Sequence, residues 1–64
     1  MTNNEMENLF WNCSHYGKIL LVNDFDFQAD DVYVSIFHIE YEGEKYIFIK
    51  RNGVTIHCEK TKRG

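Results

Sequence analysis

Two pairs of cysteine and histidine residues are the groups in this sequence best suited to bind a metal or to supply a nucleophile. Cys13 and His15 lie two apart in a segment of helical periodicity, and His57 and Cys58 are adjacent in a segment of strand character. The side chains of each pair therefore point in different directions and form no local chelate. Zinc fingers and zinc ribbons use two ligand pairs at fixed spacing, a pattern that this sequence lacks. We predict no metal site, and nothing in the sequence selects a histidine partner for a catalytic thiol.

The acidic segment 24–31 places oxygen-bearing residues at alternate positions, as a calcium-binding loop does. However, Ala29 occupies the position where such a loop needs glycine for its sharp turn, and Ser35 occupies the position of the bidentate glutamate. We expect a solvated turn here.

No motif of a known enzyme or cofactor site is present. The sequence has no glycine-rich phosphate loop, dinucleotide fingerprint or Gly-x-Ser-x-Gly elbow. Its four glycines are accounted for by a helix end (Gly17), two turns (Gly43 and Gly53) and the last position (Gly64). We predict that the protein is not an enzyme and needs no cofactor.

Charge is divided unequally along the sequence. Residues 1–44 carry nine acidic residues and one base, Lys18, whereas residues 45–64 carry six bases and one acid, Glu59, so the net charges are −8 and +5. Such a division indicates a basic end that meets an anionic partner, or two parts of one molecule that neutralise each other.

Sixty-four residues accommodate one domain, 1–64, whose core must be small. The first 17 residues contain no lysine or arginine, unlike a signal peptide, and no apolar run approaches the length of a membrane span. We therefore expect a cytoplasmic protein with reduced cysteines and no membrane partner. The abundance of Ile, Lys, Asn, Phe and Tyr indicates an AT-rich genome, which fits a bacterial or bacteriophage accessory protein.

The first element that must position these residues is a helix at about residues 4–15. Asn4 is the predicted N-cap, with Glu7 completing a capping box, and Gly17 is predicted to end the helix in a left-handed conformation. The apolar stripe at helical spacing consists of Met6, Leu9, Phe10 and Cys13.

Four strands are predicted after the helix, at about 18–22, 32–41, 45–51 and 54–60. Two-residue turns at Glu42-Gly43 and Asn52-Gly53 join the last three into a meander and set their register. This register places Phe37 opposite Phe48 and Glu40 opposite Lys45. In the last hairpin it places Ile49 opposite Ile56 and Phe48 opposite His57.

Both faces of this meander are apolar. One is aliphatic and includes Cys58; the other is aromatic and includes Tyr33, Phe37, Ile39, Tyr41, Tyr46, Phe48 and His57, with Lys50 at its end. One helix covers one face, so the other must be covered by the segment 20–27, by a second copy or by a partner, or the sheet must close on itself. We predict an α+β fold, a helix on a small antiparallel sheet of three or four strands; the alternative is a small β-barrel with one helix.

The predicted function is a small protein-interaction module, a regulator or inhibitor of a larger protein or a homodimer. Trp11 lies off the apolar stripe of the helix and is a candidate interface anchor. The alternative is a single-stranded nucleic-acid-binding protein in which bases stack on the aromatic face and the basic residues meet phosphates, against which stands the net charge of −3. The candidate interaction surface comprises Trp11, Phe37, Tyr46, Phe48, Lys50 and His57.

Overall fold

A computed structural model describes residues 2–61 and has one α-helix packed against an open, four-strand antiparallel sheet. The elements are α1 (Asn3–Tyr16), β1 (Lys18–Phe27), β2 (Val32–Tyr41), β3 (Glu44–Arg51) and β4 (Val54–Thr61), with a 3₁₀ turn at Gln28–Asp30. The strands lie in the order β1-β2-β3-β4. The α+β prediction is confirmed, and the barrel alternative is wrong because the sheet stays open between β1 and β4.

Thr2, and not the predicted Asn4, caps the N-terminus of α1. The Thr2 hydroxyl accepts a hydrogen bond from the Glu5 N–H at 3.2 Å and donates one to the Glu5 carboxylate at 3.2 Å. A threonine followed three residues later by glutamate has the spacing of the capping box that we predicted for Asn4 and Glu7, two residues earlier, but here the glutamate carboxylate accepts from the threonine hydroxyl and not from its backbone N–H. Glu7 is therefore free for another contact, described below.

Gly17 ends α1, but its φ of −95° is not the left-handed conformation predicted for it. The reason for glycine is a close approach between the helix end and β2. A Cβ at this position would lie 2.5 Å from the carbonyl oxygens of both Cys13 and Glu40. Because glycine has no side chain, the C-terminal end of α1 can pack directly against β2.

β1 extends to Phe27, five residues beyond the predicted end at Val22. Two of the acidic residues that indicated a turn, Asp24 and Asp26, lie instead on an edge strand, where polar side chains can reach water, whereas Asp30 and Asp31 do lie at the turn that follows it. Asp24 also has a partner on β2, because the buried Ser35 hydroxyl donates to its carboxylate at 2.8 Å. The ladder between β1 and β2 is interrupted by a bulge at Leu20.

The predicted register between β2 and β3 is confirmed. Glu42 and Gly43 form the turn with φ of 52° and 77°, as two-residue hairpin loops of this type require. Phe37 pairs with Phe48, Ile36 with Ile49 and Glu40 with Lys45.

The predicted register between β3 and β4 is right only next to the turn. Arg51 pairs with Val54 and Lys50 with Thr55, but a bulge at Ile56 then shifts the ladder by one residue. Ile49 therefore pairs with His57, and Phe48 with Cys58. Because a shift of one residue exchanges the two faces of a strand, Cys58 lies on the aromatic face and His57 on the aliphatic one, the reverse of the prediction.

α1 covers the aromatic face of the sheet, and the core lies between them. Its apolar residues that are fully buried among 2–61 are Cys13, Ile39 and Phe48. Around them pack partly buried side chains from the helix and three strands: Leu9, Phe10, Phe37, Tyr41, Tyr46 and Cys58. The predicted place of Cys13 in the core is confirmed.

Candidate interaction surface

The aromatic residues of the predicted interaction surface lie beneath α1. The Phe10 ring meets the rings of Phe37 and Phe48 edge to face, with centroids 5.0 and 5.3 Å apart, and Tyr46 stacks beside Phe48 at 6.0 Å. Phe48 has an exposed fraction of 0%. The structure therefore contradicts an exposed stacking platform at Phe48, because the helix occupies the place that bases would take.

Lys50 is engaged by the helix rather than presented to solvent. Its ammonium lies 4.1 Å from the centroid of the Phe10 ring and 3.8 Å from the Glu7 carboxylate. A cation over an aromatic face is stabilised by the ring quadrupole, and more so where water is partly excluded. Lys50 thus contributes to the attachment of α1.

Glu7 joins α1 to the bulge of β4. Its Oε1 accepts a hydrogen bond from the Thr55 N–H. This bond is the main reason that the pKa of Glu7 lies below its ordinary value. The Thr55 hydroxyl and the charge of Lys50 lower that pKa further, while burial opposes them. The Thr55 hydroxyl itself is buried, and its oxygen forms no hydrogen bond of full geometry with any described residue.

The other two predicted surface residues lie elsewhere. Trp11 is 55% exposed on the outer side of α1, where it stacks on His15 with ring centroids 4.5 Å apart and meets Tyr16 edge to face at 6.1 Å. His57 is exposed on the side of the sheet that faces away from the helix. The structure thus groups Phe37, Tyr46, Phe48 and Lys50 but separates Trp11 and His57 from them and from each other.

The sheet has a second apolar surface that the sequence interpretation did not identify as the site. We call it the open face: it is the side turned away from α1, and no described element covers it. Alternation along the paired strands assigns to it the apolar residues Leu21, Phe25, Phe27, Val32, Val34, Ile36, Ile47, Ile49 and Val54, together with the polar residues Asn23, His38, Arg51, His57 and Glu59. The sequence signal was the alternation of 21–27, which places Leu21, Phe25 and Phe27 on this face once β1 is a full strand.

Charged residues border the open face. At one end Lys18, Glu40 and Lys45 lie side by side on β1, β2 and β3. Near them is a shallow cavity of about 240 Å³, lined by residues that include Leu20, Leu21, His38 and Ile47. This volume is below that of most small-molecule sites. An apolar centre with a charged border is typical of a surface that binds a polypeptide.

The basic charges of β3 and β4 are largely matched by acidic groups of the same molecule. Lys60 forms an ion pair with Glu44 at 3.2 Å, Lys50 with Glu7 at 3.8 Å, and Lys45 lies opposite Glu40. Lys62 and Arg63, which belong to the predicted basic end, lie outside the described residues. The contacts favour internal neutralisation over a continuous basic stripe.

The two thiols are buried or half-buried, and both cysteines are free. Burial, with smaller contributions from Cys58 and Glu42, raises the pKa of Cys13 to about 11, and burial raises that of Cys58. Both are therefore protonated at neutral pH, whereas a nucleophilic cysteine needs a lowered pKa. Within residues 2–61 no three His, Cys, Asp or Glu side chains converge on a metal site, and no helix is long and apolar enough to cross a membrane.

No protein-family model, no curated protein and no solved structure matches this chain. The functional conclusion therefore depends on its own surface.

Proposed function

We propose that the chain is a small protein-interaction module that acts in the cytoplasm and binds another polypeptide through the open face. The observation that carries this proposal is an apolar sheet face that no described part of the chain covers. A module of this kind acts as a regulator or inhibitor when the polypeptide that it binds is a larger protein.

The imbalance between buried and exposed apolar residues supports the proposal. Among residues 2–61, only three apolar residues are fully buried, whereas eleven large hydrophobic residues are exposed, and four of these lie on the open face: Leu21, Phe25, Phe27 and Val54. Exposed apolar patches beyond a few hundred Å² mark interaction sites in soluble proteins.

Nucleic-acid binding is less well supported. Its stacking platform requires an accessible Phe48, which α1 covers. Its phosphate contacts require free cations, and Lys50 and Lys60 already have carboxylate partners.

A photoreactive phenylalanine analogue in place of Phe25 tests the proposal, because Phe25 is aromatic and exposed on the open face. Irradiation of the cells that produce the chain is expected to yield covalent adducts with polypeptide. The same analogue in place of Asn8, which is exposed on α1, is the matched control and should yield few. Absence of polypeptide adducts at position 25, or adducts with nucleic acid alone, would contradict the proposal.

A further inference from the structure

We infer that the polypeptide bound to the open face is a second copy of this chain, so that two sheets pack face to face about a two-fold axis parallel to the strands and above the boundary between β2 and β3. This inference rests on the proposed function, since it names the partner of the same face.

One end and the centre of the open face are self-complementary about that axis. A two-fold rotation about it exchanges β2 with β3 and β1 with β4, so each residue faces the cross-strand counterpart of its own position. Glu40 then faces Lys45 of the second copy, and Lys45 faces Glu40 of the second copy. In the centre, Ile36 faces Ile49 of the second copy. Opposite charges meet at the border, and aliphatic side chains meet in the middle.

The row of charges at one end of the open face, Lys18, Glu40 and Lys45, favours this axis over a two-fold axis that lies perpendicular to the strands. A two-fold axis perpendicular to the strands would exchange the two ends of the face. Lys18, Glu40 and Lys45 would then lie against Phe27 and Val32 of the second copy. Placing charges against an apolar surface without partners is strongly unfavourable. The parallel axis instead gives Glu40 and Lys45 partners of opposite charge, and it also suits the small angle at which aligned sheets pack. Under either axis Arg51 and Glu59 face apolar side chains, but both are exposed, Arg51 at the end of β3 and Glu59 on the edge strand β4, where their charges can reach water.

The area of the face meets the requirement of a specific interface. Four strands about 4.8 Å apart and eight residues long, at about 3.3 Å per residue, span about 500 Å². Two copies together bury about 1,000 Å², which is the lower limit for a stable interface. This area treats each face as flat, and protruding side chains increase it. Packing the faces together adds a second apolar layer to a chain whose own core has only three fully buried apolar residues among those described.

Chemical cross-linking tests the geometry. The axis brings β1 of one copy over β4 of the other, so position 25 lies about 10 Å from position 54 of the second copy, the usual separation of packed sheets. In a Cys58→Ala background, which removes the half-buried thiol, Phe25→Cys and Val54→Cys chains are mixed and treated with a thiol-specific linker of about 10 Å. We expect a covalent dimer from the mixture and little from either chain alone.

A mixture of Phe25→Cys and Leu21→Cys chains is the matched comparison, because the perpendicular axis would bring these two positions together. Preferential coupling of that mixture, or equal coupling of both mixtures, would overturn the inference. Sedimentation of the wild-type chain at tens of micromolar provides a measurement without substitutions, and the expected mass is that of two chains.

The outcomes separate the inference from the proposed function. A monomer in sedimentation together with adducts of a different polypeptide at position 25 would overturn the second copy as partner and retain the interaction module. A monomer without polypeptide adducts would overturn both. A dimer that couples through positions 25 and 54 supports both.

Discussion

The Glu7 carboxylate on α1 accepts the backbone N–H of Thr55, the residue next to the bulge in β4. One side chain of the helix thereby binds the part of the sheet where the regular ladder is interrupted. The same carboxylate pairs with Lys50 on the neighbouring strand, so Glu7 fixes the position of α1 across two strands.

Glu7→Gln is expected to lower the stability of the fold. Glutamine retains an acceptor for the Thr55 N–H but loses the charge that strengthens this bond and pairs with Lys50. Hydrogen bonds to charged groups are worth more than neutral ones, and the partial exposure of Glu7 limits the difference to about 1 kcal/mol. For a chain of this size that loss lowers the thermal midpoint by about 4 to 8 °C, measurable by circular dichroism. Asp26→Asn, which removes an exposed carboxylate, is the control and should leave the midpoint nearly unchanged.

The Glu7 contact also predicts a direction for the pH dependence. Because the folded pKa of Glu7 is lowered, the stability that it contributes is complete above the pKa of an unfolded glutamate, about 4.3, and is lost as the pH falls through the lower folded value. Urea unfolding at a series of pH values should show a wild-type advantage over Glu7→Gln at pH 6 that shrinks towards pH 3. An advantage that stayed constant over this range would show that the charge of Glu7 is not the cause.

Phe48→Ala is expected to unfold the protein or nearly so. Phe48 is fully buried, and truncation of a core phenylalanine costs about 3 to 5 kcal/mol, a large part of the stability of a small domain. Trp11→Ala is the contrasting variant, because Trp11 is more than half exposed and its removal should change the thermal midpoint by only a few degrees. A well-folded Phe48→Ala would show that α1 does not cover this face in solution.

Gly17→Ala is expected to destabilise the junction between α1 and β1 by about 1 to 3 kcal/mol, as overpacking does. The φ of Gly17 is accessible to alanine, so the loss comes from the contacts of the new Cβ with the Cys13 and Glu40 carbonyl oxygens. Asn12→Ala is the control, because Asn12 lies on the exposed side of α1 and its replacement makes no such close contacts. Alanine has the higher helix propensity, so this variant should be neutral or slightly stabilising. Chemical denaturation of both variants measures the difference.

Alkylation of the thiols should report on opening of the helix. Cys13 is fully buried and its pKa is raised to about 11, so at pH 8 it should react with iodoacetamide only when α1 separates from the sheet. Cys58 is half-buried and should react faster. Mass spectrometry of the modified peptides distinguishes the two sites, and rapid labelling of Cys13 in the folded protein would contradict its position in the core.

Local sequence signals were sufficient for the elements whose geometry is set locally. The turn residues at 42–43 determine the register of β2 and β3, because a two-residue loop with positive φ leaves one pairing for the strands that it joins. The stripe of Leu9, Phe10 and Cys13 likewise identifies the buried side of α1.

The remaining features depend on contacts between residues distant in sequence. The bulge at Ile56 exposes the Thr55 N–H to Glu7, which is 48 residues away, so the turn at 52–53 alone could not reveal it. Because we did not predict this bulge, we assigned His57 and Cys58 to the wrong faces of the sheet. The extension of β1 depends on an edge position, where Asp24 and Asp26 are tolerated, and edge position is a property of the sheet rather than of the segment.

The edge formed by β1 bears on how far assembly of this protein can proceed. An unpaired strand edge is a template for sheet growth and hence for fibres. Here the bulge at Leu20 interrupts the run of backbone groups, and a second β1 edge would bring the carboxylates of Asp24 and Asp26 close to their own copies. Pairing of one β1 edge with another is therefore opposed by both shape and charge. Asp24 and Asp26, which in the sequence indicated a turn, thus act against self-association through this edge.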